Sequence, residues 1–223
     1  MKLEYELVYS QRRTIAITVE RDRRVVVYAP HRAPQESVAA AVQRKQAWIW
    51  SKVRDPYKYA VRKTQKEFVA GEAFLFLGQN YSLELVPGTR DGVRAIGRCF
   101  ELSRIHRHRG RELFREWYVD EARKRIPPRV VAIAKAMGTE VQRVSVRELK
   151  YQWASCTPSR RLSFSWRIIQ APSLVVEYLI VHELAHLLEP NHSDRFWNIV
   201  AVHAPAWEKA KDWLRQHGSR LEW

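Results

Sequence analysis

The sequence predicts an α+β fold, with a β-rich N-terminal part over residues 1–102 and a helical part with a small sheet over residues 103–223. Short β-branched and aromatic runs separated by turn residues dominate the first part, and amphipathic stretches follow residue 110. The apolar fraction of 46% is enough for a sizeable core. Because the strands do not alternate regularly with helices, a doubly wound fold is not expected.

The N-terminal part is expected to hold two groups of strands with helices between them. We predict strands over residues 5–9, 14–20 and 24–29, with a turn at Asp22-Arg23. A helix capped by Ser37 should run to residue 54, and a second basic helix is expected over residues 57–68 after the break at Asp55-Pro56. Four further strands are predicted over residues 74–77, 81–86, 93–96 and 99–102.

The C-terminal part is expected to be mainly helical. A long helix over residues 110–137 should break at Pro127-Pro128 and end at Gly138. Strands over residues 144–149 and 162–169 are predicted to pair around a turn at residues 157–159. Three helices complete the chain, over residues 173–188, 194–202 and 205–216.

The charge of the chain is unevenly distributed. The 223 residues include 39 Lys and Arg against 24 Asp and Glu, a formal net charge of +15, of which residues 171–223 carry −2 and residues 1–170 carry +17. Such a field attracts polyanions, so the 1–170 portion is interpreted either as a contact surface for nucleic acid or nucleotides or as a solvated basic face. Trp48 and Trp50, in the basic stretch 41–66, are candidates for stacking on bases.

The composition also limits the cellular compartments in which the protein is expected. No apolar run approaches 18 residues, so we expect no membrane-spanning helix and no membrane partner. The first residues carry carboxylates where a secretory signal needs an apolar stretch. Two cysteines, Cys99 and Cys156, are too few for a disulfide framework or an all-thiolate zinc site. These observations predict a cytoplasmic protein.

One motif points to metal chemistry, the segment His182-Glu183-Leu184-Ala185-His186. On a helix, His182 and His186 lie one turn apart, so their imidazoles converge on one point, and Glu183 lies beside them within reach of a metal-bound water. His192 is the candidate third ligand, because the segment 189–191 can end the helix and reverse the chain. Three imidazoles leave the fourth tetrahedral position to water, which is the arrangement of a catalytic zinc site.

The alternative is that these histidines are merely packed in a core. Ile180, Leu184 and Leu188 cover the opposite face of the helix, so the imidazoles face something else. Two adjacent histidines and a carboxylate buried without a metal would carry a heavy desolvation cost. Metal binding is therefore the preferred interpretation.

The motif and its surroundings resemble the YgjP-like (SprT-like, WLM-related) zincin metallopeptidases. The resemblance includes residues 182–187, 191–193 and Phe196-Trp197, and extends upstream to residues 153–156 and 163–167, which are similar to the family's Trp-Gly-Ser-Cys and Leu-Asn-Trp-Arg segments. Ala154 stands for the family's Gly and Ser165 for its Asn. Neither departure touches the motif.

This resemblance implies a cytoplasmic hydrolase that holds Zn²⁺ through His182, His186 and His192 and uses Glu183 as its general base. Five upstream residues become candidates for substrate binding: Trp153, Ser155, Cys156, Ser165 and Trp166. Independently of the family, an extended substrate can pair with an exposed strand edge at residues 162–169, which would bring a carbonyl beside the metal.

Three functions are compatible with these residues. The first is a zinc-dependent peptidase acting on a polypeptide. The second, which the family resemblance implies, is a nucleoside triphosphate (UTP) pyrophosphatase on the same metal site, although the chain lacks a glycine-rich phosphate loop and the carboxylate cluster that a magnesium site usually needs. The third is a basic nucleic-acid-binding module with a structural metal, whose binding would weaken steeply with salt.

Overall fold

The computed structural model describes residues 3–19, 23–54, 65–149 and 152–221. The chain divides into two compact units, Met1–Lys63 and Thr64–Trp223. Each unit contains both strands and helices, so the α+β class predicted from the sequence is confirmed.

The first unit is a three-stranded sheet followed by two short helices. Its elements are β1 (Glu6–Ser10), β2 (Ala16–Val19), β3 (Val25–Pro30), α1 (Gln35–Arg44) and α2 (Gln46–Val53). The sheet order is β1-β3-β2, with β1 parallel and β2 antiparallel to β3. Alternate residues of β3 and one face of the helices form the core of this unit: Val25, Val27, Ala29, Val38, Val42 and Ile49.

The helix expected over residues 37–54 is divided at Lys45, whose φ of −99° and ψ of 5° depart from helical values. The predicted Ser37 cap is wrong, because α1 begins at Gln35 and the extended backbone of Pro34 precedes it. The predicted turn at Asp22-Arg23 lies partly outside the described residues. The same holds for the helix predicted over 57–68, of which residues 65–68 are described and are not helical.

The second unit begins with a four-stranded sheet that supplies an aromatic core. Its strands are β4 (Ala73–Phe76), β5 (Gln79–Val86), β6 (Val93–Ile96) and β7 (Cys99–Ser103), in the order β4-β5-β7-β6. The four predicted strands are thus confirmed. The ring of Phe74 stacks on that of Phe114, with centroids 4.1 Å apart, and Phe100 meets Phe114 edge-on at 5.2 Å.

These aromatic contacts explain where the compact units divide. The sequence places a boundary between residues 102 and 103, whereas residues 64–102 group with the C-terminal unit. The physical reason is that one face of the four-stranded sheet is buried against the helix that carries Phe114, so the two share one core.

That helix, α3 (Gly110–Ala136), continues without interruption for 27 residues. The predicted break at Pro127-Pro128 is therefore wrong. An interior proline costs about 3 kcal/mol through its missing N–H and its ring clash. Ile126 and Val130 flank the prolines and are 1% and 0% exposed, so their packing holds the helix together. The buried positions recur every four residues along α3: Gly110, Phe114, Tyr118, Ala122, Ile126, Val130 and Ala134.

A second, three-stranded sheet of this unit consists of β8 (Arg143–Arg147), β9 (Ala154–Cys156) and β10 (Arg161–Ser165). β10 is the central strand, parallel to β8 and antiparallel to β9. The predicted pairing of the strands over residues 144–149 and 162–169 is confirmed, because β8 pairs with β10. The turn at residues 157–159, however, joins β9 to β10 and does not join the two predicted strands. Because both sides of β10 are paired, the expectation of an exposed edge at residues 162–169 is wrong, and the edge strand is β9.

The strand predicted over residues 162–169 ends at Ser165. The Ser165 hydroxyl accepts a hydrogen bond from the Arg167 N–H and caps a 3₁₀ helix over residues 166–170. Three helices complete the unit: α4 (Ser173–Ala185), α5 (Asp194–His203) and α6 (Trp207–His217). Among the described helices, none is long and apolar enough to cross a membrane.

The start of α4 is fixed by the turn between β4 and β5. The N–H groups of Leu77 and Gly78 donate to the carbonyls of Ile169 and Gln170, each at 2.9 Å. Gly78 has a φ of +79°, and a Cβ added there would lie 2.7 Å from the ring of Pro172, the residue that precedes α4. Only glycine fits this position, which sets the register of the helix that carries the histidine motif.

Candidate metal centre

The first two histidines of the motif lie at the C-terminal end of α4. His182 is in the last turn and His186 is the C-cap, whose N–H still donates to the His182 carbonyl at 3.3 Å. The apolar side chains of α4 are buried on the remaining sides: Val175, Val176, Leu179, Ile180, Val181 and Leu184. Burial therefore fixes the helix and leaves the two half-buried imidazoles on its open face.

A tight turn brings His192 back to this face. The Glu189 N–H donates to the Ala185 carbonyl at 2.8 Å, and the Ser193 N–H donates to the Asn191 carbonyl at 2.8 Å. Ser193 then caps α5 by accepting a hydrogen bond from the backbone N–H three residues later. The reversal expected from residues 189–191 is thus present, and it positions His192 between two anchored helix ends.

The three histidines form a compact cluster. Each offers one ring nitrogen, and these three atoms all lie within 4.8 Å of one another. The Nε2 atoms of His182 and His192 are 3.2 Å apart. The ring centroids of His182 and His186 are separated by 5.0 Å, and those of His186 and His192 by 4.7 Å.

This geometry and its donor atoms fit a zinc ion. Ligand nitrogens at the usual Zn–N distance in a tetrahedron are about 3.3 Å apart, close to the observed 3.2 Å. Nδ1 of His186 lies 3.1 Å from the carbonyl of Pro190, so it carries the proton and leaves Nε2 with a lone pair. Nδ1 of His182 is buried and has no hydrogen-bond partner among the described residues.

The surroundings of His182 and His186 favour the neutral imidazole, which is the form that binds a metal. Burial, with the charges of His186, His192 and Lys211, lowers the pKa of His182 to about 3. Burial also lowers the pKa of His186, with a contribution from His192.

Glu183 is buried beside the cluster, with 6% of its surface exposed. This burial raises its pKa to about 7. Burial and the negative charge of Glu183 also raise the pKa values of two neighbouring residues. The pKa of Tyr178 is raised to about 12, and that of Cys156 to about 11. The ring of Tyr178 lies 5.8 Å from that of His182, and β9, which carries Cys156, packs against α4.

An aromatic group that the sequence reasoning did not assign to the site supports the imidazoles. The ring of Phe196 lies 5.0, 4.6 and 4.7 Å from the three histidine rings and is completely buried. Trp197 stacks on His192 and on Trp207, and Nζ of Lys211 lies 4.6 Å from the centre of the Trp197 ring. The sequence feature that could have assigned Phe196 to the site is its position, four residues after His192 and in the first turn of α5.

The five candidate substrate-binding residues divide into two groups. Ser155 and Cys156 are half-buried on the edge strand β9, which lies against α4, and Trp153 precedes that strand. Ser165 is completely buried, and Trp166 is 4% exposed and donates from Nε1 to Glu148 at 2.7 Å. Burial leaves Ser165 and Trp166 little surface in this structure, and substrate contact by these two residues stays a prediction.

A comparison with protein families agrees with the resemblance found in the sequence. A family model described as YgjP-like, metallopeptidase domain, matches residues 13–217. Among solved structures, the chain is similar to the crystal structure of the metallopeptidase zymogen of Pyrococcus abyssi abylysin, at 24% identity, over 39% of this chain and 86% of that chain, with a TM-score of 0.35. The comparison with curated proteins found no match.

Proposed function

The chain belongs to the YgjP-like metallopeptidase family, and from that premise we propose that it is a zinc-dependent peptidase with Glu183 as general base. The proposed ligands are His182, His186 and His192. The observation that carries this proposal is the convergence of three imidazoles, with ring nitrogens within 4.8 Å of one another, beside one buried carboxylate.

A zinc ion held by three imidazoles supplies Lewis acidity, which polarises a carbonyl and makes a water more acidic. The protein supplies the proton transfer and the positioning. Glu183 accepts the proton of the attacking water and returns it to the leaving amine. The carbonyl of Pro190 holds the tautomer of His186, and Phe196 packs behind the three imidazoles and keeps water from that side.

The edge strand β9 is the proposed docking site for an extended polypeptide. Within the described residues, β9 pairs with β10 on one side, and no strand pairs with its other side. A peptide added there would run past Cys156, which is close enough to Glu183 for the carboxylate to raise the pKa of the thiol. We propose Ser155 and Cys156 as substrate contacts and Trp153 as a residue that supports the strand.

Metal analysis and parallel activity assays test this function. We expect stoichiometric zinc in the purified protein, cleavage of an unfolded polypeptide such as reduced casein, loss of cleavage on chelation, and recovery when zinc is restored. UTP assayed under the same conditions should remain intact. Cleavage of UTP without cleavage of the polypeptide would move the assignment to nucleotide chemistry.

A further inference from the structure

A groove in the first unit contains none of the residues of the candidate metal centre. Its volume is about 710 Å³, and Ile15 and Ile17 form part of its apolar floor. Its rim carries Arg13, Arg44, Lys45 and Trp48. An apolar floor with a cationic, aromatic rim is the composition of a surface that binds a partly apolar polyanion.

One wall of the groove comes from the edge strand of the sheet. Ile17 lies on β2 and Ile15 directly precedes it, Arg13 and Thr14 lie in the bend before them, and β2 lies at the edge of the order β1-β3-β2. Side chains two residues apart in an extended segment share a face, so Ile15 and Ile17 lie together, and Arg13 lines the same groove beside them.

The other wall comes from the two helices. Arg44, Lys45 and Trp48 lie three, four and seven residues after Ala41, which also lines the groove, so all four share one helical face. Helical hydrogen bonds continue across the division between α1 and α2, from the Lys45 N–H to Ala41 and from the Ile49 N–H to Lys45. The core residues Val38, Val42 and Ile49 lie on the neighbouring face, whereas Arg44, Lys45 and Trp48 are exposed, so the groove face is turned to solvent.

The charges of the groove are not neutralised by the part of the chain that the structure describes. Arg13, Arg44 and Lys45 are exposed, form no ion pair with a described residue, and share the lining with no acidic residue. The first unit as a whole has fourteen Lys and Arg against six Asp and Glu. Trp48 is 42% exposed at the same rim.

We propose that this groove binds single-stranded nucleic acid, with Trp48 stacking on a base and the three cations contacting phosphates. A single strand presents a negative charge and an accessible aromatic face at every nucleotide, which matches both features of the rim. An acidic peptide would satisfy the cations but would offer Trp48 no regular stacking partner. A duplex would match the charge but hide its base faces inside the stack.

Fluorescence anisotropy of a labelled (dT)20 strand with the full-length protein, over a series of salt concentrations, tests the proposal. We expect Trp48→Ala to weaken binding about tenfold or more and Trp48→Phe, which keeps a stacking ring, to stay within about threefold of the parent. Replacing Arg13, Arg44 and Lys45 together by Gln should lower the slope of log affinity against log salt by about two. Arg98→Gln, an exposed cation of the second unit, is the matched charge control and should bind as the parent does.

Three results would overturn the proposal: equal binding by Trp48→Ala, duplex DNA that binds as tightly as the single strand, or poly-glutamate of equal charge that displaces the strand as well as unlabelled (dT)20 does. The Glu183→Gln variant should bind (dT)20 normally, which separates this site from the proposed peptidase activity. If Trp48→Ala proves unfolded by circular dichroism, Trp48→Phe and the triple charge variant decide the outcome.

Discussion

The Nε2 atoms of His182 and His192 lie 3.2 Å apart although ten residues separate them in the chain. At this distance one nitrogen either donates a proton to the other or both direct lone pairs at one cation. The hydrogen-bonded turn that follows α4 and the Ser193 cap hold the two rings together. The cluster is therefore built by backbone structure, which makes its metal affinity sensitive to each imidazole.

Replacing His192 by Ala is expected to lower zinc affinity by at least about 100-fold, because one of three donors is lost and even the loss of a group that hydrogen-bonds a ligand costs about 10–100-fold. Competition against a chromophoric chelator measures this affinity. The matched control is His203→Ala, an exposed histidine at the end of α5, which should bind zinc like the parent. Unchanged affinity in the His192 variant would require a different third ligand.

Replacing Glu183 by Gln should keep the zinc and the fold but lower the rate of peptide cleavage about 10²- to 10⁴-fold, since the amide cannot accept the proton of the attacking water. Steady-state rates and metal content, measured on the same sample, check this. Glu208→Gln, on the exposed face of α6, removes a carboxylate away from the cluster and should cleave normally. Full activity in the Glu183 variant would remove this residue from the mechanism.

Replacing Phe196 by Ala should lower the free energy of unfolding by about 3–5 kcal/mol, because a completely buried ring is removed. Urea denaturation of the metal-depleted protein measures this change without a contribution from ion binding. Phe196→Leu fills more of the space and should cost clearly less than Phe196→Ala. A loss below about 1 kcal/mol in the Ala variant would mean that the three imidazoles are held by the turn alone.

Glu148 predicts a pH dependence of stability. Burial raises the pKa of this carboxyl, but hydrogen bonds from Arg167 and Trp166 and the charges of Arg167 and Arg115 outweigh it and lower the pKa overall. A lowered folded-state pKa stabilises the protein above the ordinary carboxyl value, and this contribution disappears as the pH falls through the folded-state pKa.

Thermal unfolding of Glu148→Gln should therefore occur at a lower temperature than that of the parent at pH 7, and the difference should shrink between about pH 5 and pH 3. Glu140→Gln, an exposed carboxylate that forms no ion pair with a described residue, is the control and should follow the parent at every pH. A difference that grows in acid would contradict the sign of the shift.

The uninterrupted helix α3 leads to a further prediction. Pro128 is exposed within this helix, so Pro128→Ala restores an N–H donor and removes the ring clash without disturbing the core. We expect the free energy of unfolding to rise by about 1–2 kcal/mol, after allowing for the greater entropy of the unfolded chain. Pro158→Ala, in the turn before β10, should instead lower it slightly, and equal effects of both changes would refute this reasoning.

Local spacing accounts for most of what the sequence predicted correctly. The four-residue separation of His182 and His186 needed only a helix, and the return of His192 needed only a turn at Pro190. The strands from Phe74 to Leu102 were recognisable because β-branched and aromatic residues alternate between glycine-containing turns. These features depend on neighbours within about ten residues, so the sequence displays them directly.

Features that depend on distant packing were not predictable in this way. β9 has three residues and no pattern of its own, and it exists because it pairs with β10. The helix continues through Pro127 and Pro128 because buried residues on either side of them pack against other elements. The Trp166 side chain is buried and donates a hydrogen bond to Glu148, a partner eighteen residues away in the sequence. In each case the tertiary environment overrides the local preference.

The four-residue repeat of α3 has a consequence for how the second unit opens. At 1.5 Å per residue this helix is about 40 Å long, and along that length it touches both sheets and α4. Because α3 packs against both sheets and α4, one sheet cannot easily detach while the other elements of the unit stay folded. The slowest-exchanging amides of β5, β7 and β10 should therefore become accessible in a single concerted opening, at one common free energy.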